Sequence, residues 1–513
     1  MPSISHDQSR HVTVDKRPGH YLSFPDICLT RTGRLVCVYR QAEAHVASRA
    51  VLLYSLSEDM GKTWGQPRFL NAGAGHCPRI TQLEDGRLVV ADDPPFLYWS
   101  LDHGQTFASQ PYSGGPHSIP DRIMELSPNV FLSASHTHRG EHPQPKIRQP
   151  PAEQLTYIST DEGRVWRALS VLAHDPNLVL CEASMTRLAD GSILALLREN
   201  SFVYEPMYFC LSHDQGRTWS YPRPTPLIGH RPCLGLTAQG KLLVTYRNVA
   251  PDSGTAAWLG DFEELDRDFM VHARRPSPAN PVLTPDGLLV ENGPGPEACV
   301  RYALRPMTDP ELATAELNLE VLVEEAQDNA CGVHFGIWWR LFPDSVVPDI
   351  EEATPLTVPR GQPLRLTLQY HRGEIRALIN GTEAGLYRVD PRQADVRAIL
   401  AGNTNLREEN GGKHYWRAMS LDIQEPRYER HYTWRWEHGQ GHPDAQAGSR
   451  VLELANDREA NFGDFGYSGW TSLPDGRFLC AYHHGGSADP GYVPSRSSHI
   501  RTTWFTADDF TNI

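Results

Sequence analysis

Apolar residues along this chain gather in short strand-length runs broken by glycine turns, and the 3.6-residue period of an amphipathic helix is nearly absent. DICLTRTGRLVCVYR, RITQLEDGRLVVADD and SMTRLADGSILALLR each set two apolar runs around a turn, which predicts a β-hairpin. LGLTAQGKLLVTYR and GWTSLPDGRFLCAYHH repeat the pattern, and IMELSPNVFLSASH is a weaker copy turning at Asn129. Six such hairpins predict six short sheets. Arranged radially as a β-propeller, they account for the count better than a sandwich does.

A second repeat interleaves with the first. SEDMGKTW (57–64), SLDHGQTF (100–107), STDEGRVW (159–166) and SHDQGRTW (212–219) share Ser-x-Asp-x-Gly-x-x-aromatic, at separations of 43, 59 and 53 residues. That period suits a four-stranded blade and is too long for one hairpin. Asp59, Asp102, Asp161 and Asp214 can bond the turn backbone while Gly61, Gly104, Gly163 and Gly216 permit positive φ, so these aspartates are expected to be structural.

The spacing breaks between Gly240 and Gly476, which stand 236 positions apart. Within them ELNLEVLVEE, CGVHFGIWWRLF, PLRLTLQYHRGEIRALINGTEAG and YWRAMSLDI alternate like strands of an antiparallel sandwich. The prediction is therefore an all-β chain: propeller blades one to five at 1–275, an inserted jelly-roll module at 276–424 between the fifth and sixth blades, and return strands with blade six at 425–513. HIRTTWF near the end is expected to pair with VTV at 12–14 and close the ring. In the insert, Trp338, Trp339 and Tyr370 are available to a carbohydrate or to the sandwich core, and strand alternation sends the two tryptophans to opposite faces.

Composition narrows the function classes. The 513 residues carry 48 basic and 62 acidic side chains, net −14, without a basic stripe, which argues against nucleic acid. No run approaches the ~20 apolar residues of a membrane helix, and the opening MPSISHDQSR lacks a leader pattern, so the chain as given is expected to be cytoplasmic, or secreted if a leader was removed. Nine cysteines without CxxC spacing read as reduced core thiols. SHTH at 135–138 with His142 beyond holds two histidines at i, i+2, but the spacing identifies no third ligand, so neither metal nor cofactor is predicted.

The boxes, the hairpins and the count of six resemble the Asp-box (BNR-repeat) propellers of the sialidase superfamily, over about 1–275 and 425–513. The insert resembles laminin-G or concanavalin-like lectin folds in strand pattern. The resemblance implies a tyrosine nucleophile paired with a glutamate, an acid catalyst near the first blade, and arginines clasping a sugar carboxylate. Tyr467 in GYSGWTSLPDG matches the nucleophile, Glu182 in CEASMTRL the glutamate, and Arg198 in ALLREN one arginine. Elsewhere the sequence departs. SFPD leaves Ser23 where the first family arginine stands and Asp26 just after it; GTAAWLG carries no arginine, leaving Arg231 or Arg247 to substitute; and the acid's loop holds Glu43 and His45 but no aspartate. YRQAEAH is similar to the R-E-G-x-x-H stretch of other superfamily members, which implies altered chemistry.

Polar residues at equivalent hairpin ends would meet on the ring axis: Asp26, Arg40, His45, Arg79, Asp121, Arg122, Glu182, Arg198, Arg231, Arg247, Tyr467, His483 and His484. Each arginine has a competing structural role in ion pairs between blades, and Tyr467 in buried packing. The leading expectation is an exo-glycoside hydrolase releasing an acidic non-reducing-end sugar. Tyr467 would be activated by Glu182, with His45 or Asp26 as acid, and Arg198, Arg40, Arg79, Arg122, Arg231, Arg247 and His483 binding substrate. The alternatives are a uronate polysaccharide lyase using His45 and Tyr467, and a non-catalytic glycan-binding propeller.

Overall fold

The computed structural model describes residues 2–510 except 73–74, 94, 117, 142–149, 202–204, 250–253, 276–279, 294–297, 394, 407–409, 457–464, 486–491 and 494–495. Six four-stranded antiparallel sheets form the predicted propeller. Blade one is Tyr21–Leu29, Leu35–Ala42, Ala50–Ser57 and Arg68–Ala72, and the next three blades follow in order to Arg223–Pro224. The sixth contains Ser468–Ser472, Phe478–His484 and His499–Phe505, completed by the N-terminal strand His11–Asp15. Val12 lies opposite Thr502, so the two ends of the chain close the ring as the sequence suggested.

Each Asp box acts as a staple between blades. In the second box the Ser100 hydroxyl donates to Asp102 at 2.8 Å and accepts from the Gly104 amide at 2.8 Å, while Asp102 accepts from the Thr106 amide and hydroxyl. Gly104 sits at φ +85°, and a Cβ there would lie 2.5 Å from Val36 of the preceding blade. Gly163 repeats this against Leu97 at 2.5 Å. Glycine is needed both for the turn and for the approach of the next blade, which a sequence pattern shows only as turn chemistry.

The insert lies elsewhere than expected. Blade five consists of Gly229–Leu236, Leu242–Asn248, Gly254–Gly260 and Val451–Asn456, so the insertion interrupts this blade between its third and fourth strands rather than standing between blades five and six. The short fourth strand, placed after the insert, gives no hairpin signal of its own. The insert's two antiparallel sheets also overrun the expected limits, since His272–Arg274 joins the smaller sheet and Arg430–Glu437 pairs with Gly412–Glu425 of the larger. Thr314–Ala326 alternates buried and half-buried side chains over most of its length. Leu317, Val333, Trp339, Leu366 and Trp416 from both sheets share one core. Trp339 and Tyr370 belong to that core, whereas Trp338 is half-buried against Ala303, Ala398 and Leu400, beneath the Arg301 guanidinium at 5.0 Å.

A buried polar seam joins the insert to blade four. Glu205 accepts from the Tyr208 hydroxyl at 2.8 Å, from the Thr308 hydroxyl at 2.7 Å and from Arg430 at 3.3 Å. Burial and the neighbouring Glu205 push the Glu199 carboxyl up to about 8. Burial also raises Glu425 to about 7, against the pull of Arg305. All nine cysteines are free thiols, and all except Cys28 are buried. Among the described residues no helix is long and apolar enough to cross a membrane.

Candidate active site

The second strand of every blade ends on the same rim, and several first strands enter there through a β-bulge. Ser23 pairs with Arg40, Cys181 with Arg198 and His230 with Arg247, and after each pair the register slips. The bulged residues Phe24, Glu182 and Arg231 have φ of 55°, 47° and 50°, backbone that non-glycine residues seldom adopt. Pro25 and Pro232 occupy two of these bulges, where a missing N–H costs no ladder bond. Three blades thus use one strained device at one place, as functional sites commonly do.

Tyr467 is the point of convergence. Its ring lies 5.3 Å from Phe24 of blade one and 5.6 Å from His483 of blade six, and the Arg247 guanidinium of blade five sits over it at 5.6 Å. Cys77 of blade two shares its buried cluster, and Ile119 on the approach to blade three packs against that cluster. Arg198 of blade four donates from one Nη1 to the Tyr467 hydroxyl at 2.9 Å and to Glu182 at 3.0 Å. All six blades therefore contribute to the surroundings of a hydroxyl that is only 8% exposed by residue.

The electrostatics are those of a buried cationic site. Burial alone would raise the Glu182 carboxyl, but Arg198 and then Arg231 hold it at about 2, so it is an anion at any working pH. Burial pushes His136 down to about 4, against the pull of Glu182. His230 falls well below its ordinary value through burial and the nearby Arg198 and Arg247. Both histidines are thus neutral spacers among arginines. Among the described residues the Nε atoms of Arg40, Arg198 and Arg231 are buried and make no hydrogen bond.

Not every expected residue comes to this place. Asp26 is fully buried, with Arg122 donating to both of its carboxylate oxygens and the Ile27 and Ile80 amides donating at 3.0 and 2.9 Å. Burial would raise its carboxyl, yet Arg122 and Arg79 keep it below the ordinary range. Four donors thus hold its charged form in place. Arg122 bonds Asp26, and Arg79 donates to the Ser468 carbonyl at 3.0 Å, so both make bonds between blades. Asp121 accepts from the Met185 amide in the same layer.

Arg40, Arg198, Arg231, Arg247, Glu182, Tyr467 and His483 do come together, and His45 reaches the rim, its Nδ1 3.0 Å from the Tyr21 hydroxyl and its ring 5.4 Å from Phe24. His136 and His138 touch ring to ring at 5.3 Å, His142 lies outside the described residues, and no group of three metal-binding side chains occurs among those described. Sequence reasoning missed Phe24, His76, Cys77, Asp92, Asp93 and Asn200. Asp92 accepts from the His76 and Cys77 amides and is raised to about 7 by burial and Asp93. The available signal was positional: Asp92 and Asp93 directly follow the second strand of blade two, and Arg40 and Arg198 lie near the ends of the matching strands in their blades.

Residues 5–255 match the BNR repeat-like domain. A protein of unknown function from Dyadobacter fermentans is 14% identical, over 96% of this chain and 97% of its own, with a TM-score of 0.47. The Hadza microbial sialidase Hz136 is 14% identical over 47% of this chain and 56% of its own, TM-score 0.36. A Trypanosoma rangeli sialidase, solved as a covalent intermediate with 2,3-difluorosialic acid, is 10% identical over 81% and 96%, TM-score 0.35. No curated protein matches the chain.

Proposed function

We propose that this chain is a retaining exo-glycoside hydrolase that removes an acidic sugar, with Tyr467 as its nucleophile. The observation that carries this reading is the single Arg198 nitrogen bonded to both Tyr467 and Glu182. A phenol at its ordinary pKa of about 10 is a poor nucleophile at neutral pH. A guanidinium in contact with the hydroxyl favours the phenolate, and Arg247 over the ring adds to it. Glu182 acts on the tyrosine through Arg198, holding that guanidinium in place and balancing its charge.

This assigns Arg198 to the nucleophile and leaves Arg40, Arg231 and Arg247 to meet the substrate's carboxylate. Planar guanidinium forks suit that task, and a ring of buried cations in a chain of net charge −14 directs an anion to the axis. The tyrosine oxygen attacks the anomeric carbon, and water then releases the sugar with its configuration retained, the tyrosine variant of the two-step glycosidase route. The insert is proposed as a carbohydrate-binding accessory.

The test is a panel of acidic glycosides, including sialosides, ulosonides and uronides, assayed for sugar release with Tyr467→Phe and Glu182→Gln beside wild type. Loss of release in both variants supports the reading. The close packing of His483 and His45 with Phe24 and Tyr467 favours a second one, β-elimination from a uronate. Near-ultraviolet absorbance from an unsaturated product would establish it in place of the first. Ligand binding without turnover, unaffected by Tyr467→Phe, would mark a glycan-binding propeller.

A further inference from the structure

We infer that His76, backed by Asp93, is the proton donor of this reaction, an inference that rests on the reading of Tyr467 given above. The argument begins with the Phe24 ring, which touches Tyr467 on one side and three histidines on others: His45 at 5.4 Å, His483 at 5.5 Å and His76 at 5.6 Å. They differ in what surrounds them. His483 is fully buried and cannot follow a departing group outward. His45 turns its Nδ1 to the Tyr21 hydroxyl, itself buried.

His76 has the features of an acid catalyst. Its Nδ1 stands 3.4 Å from an Asp93 carboxylate oxygen, and the two side chains are 37% and 33% exposed, open to an aglycone at the rim. The other Asp93 oxygen accepts from the Ile119 amide at 2.7 Å, and Ile119 packs on the cluster of Phe24, Cys77 and Tyr467. The backbone N–H of His76 donates to Asp92. The pair is therefore fixed to the nucleophile's cluster twice, through Phe24 and through Ile119. A carboxylate behind an imidazole orients the ring and stabilises the imidazolium.

The step balances as follows. The Tyr467 phenolate oxygen bonds to the anomeric carbon while the bond from that carbon to the aglycone oxygen breaks, and the imidazolium proton of His76 passes to the departing oxygen. Neutral His76 then takes a proton from the water whose oxygen displaces the tyrosine. Tyr467 leaves as phenolate and the protein returns to its starting state with one water consumed.

A proton donor matters only when the leaving group needs a proton. Full-length wild type, His76→Gln and Asp93→Asn are assayed on two glycosides of whichever acidic sugar is turned over, one with a methyl and one with a 4-nitrophenyl aglycone. The expected result is a loss of about 10²- to 10⁴-fold in kcat/KM on the methyl glycoside and less than about tenfold on the nitrophenyl one. Retained turnover of the latter also shows that the variants fold. Equal losses on both substrates, or no loss on either, overturn the assignment of His76 while leaving Tyr467 standing. A wild type inert toward every glycoside overturns the hydrolase reading itself.

Discussion

Asp26→Asn separates a structural from a catalytic aspartate. The native carboxylate is fully buried, takes two bonds from Arg122 and two from main-chain amides, and lies 3.8 Å from Arg79. The substitution keeps the shape and removes the charge, so two guanidinium groups lose their counter-ion. Breaking a buried pair from one side costs about 3–5 kcal/mol. Arg122 retains 26% side-chain exposure, which places the expected loss near the lower end, about 3 kcal/mol. Arg122→Met in the Asp26→Asn background removes the stranded cation, so the double variant should be more stable than the sum of single effects by at least about 1 kcal/mol. Urea unfolding of the four proteins, followed by tryptophan fluorescence, measures this coupling. An Asp26→Asn protein as stable as wild type yet unable to turn over substrate would refute the reasoning and return Asp26 to the chemistry.

Other outcomes follow from particular contacts. A Cβ on Gly469 would stand 1.9 Å from the Asp26 carboxylate, so Gly469→Ala is expected to cost about 2–3 kcal/mol by overpacking, measured by the same unfolding assay. Glu199 and Glu425 titrate near 8 and 7 in the fold against an ordinary 4.5, so the folded state holds their protons more tightly than the unfolded chain. Their contribution is complete below about pH 4.5 and is lost as pH rises towards 8, on the order of a few kcal/mol, and Glu199→Gln should flatten a plot of stability against pH over that window. Arg247→Ala should lower kcat/KM for a carboxylate-bearing glycoside by roughly ten- to a hundredfold and for its amide analogue much less, because a charge-assisted bond of about 1.5–3 kcal/mol goes only to the former. Equal losses would show that Arg247 serves Tyr467 alone.

The propeller was legible because its signals are local. A DG or QG turn between two apolar runs, and a serine and aspartate that bond their own turn, form the same way whatever surrounds them, so the blades and the structural role of Asp102 follow from short windows. Tyr467, Glu182 and Arg198 were singled out because the short segments around them resemble those of a known family. Val451–Asn456 was not assigned to blade five because its partner, Gly254–Gly260, lies across the whole insert and a lone edge strand has no turn to announce it. Asp26 and Arg122 were both placed on the axis, although 96 residues apart they bind each other. His76 went unnoticed because nothing in its own segment distinguishes it from an ordinary loop residue, and Asp93 because its only signal was its position after the second strand of blade two. Local chemistry in the chain settled the hairpins of the propeller and which of their ends share a rim. Only the tertiary structure decided which charges on that rim neutralise one another and which remain for a ligand, because closing the ring brings side chains from different blades within bonding distance, and the partner each one meets depends on that closure rather than on its neighbours in the chain.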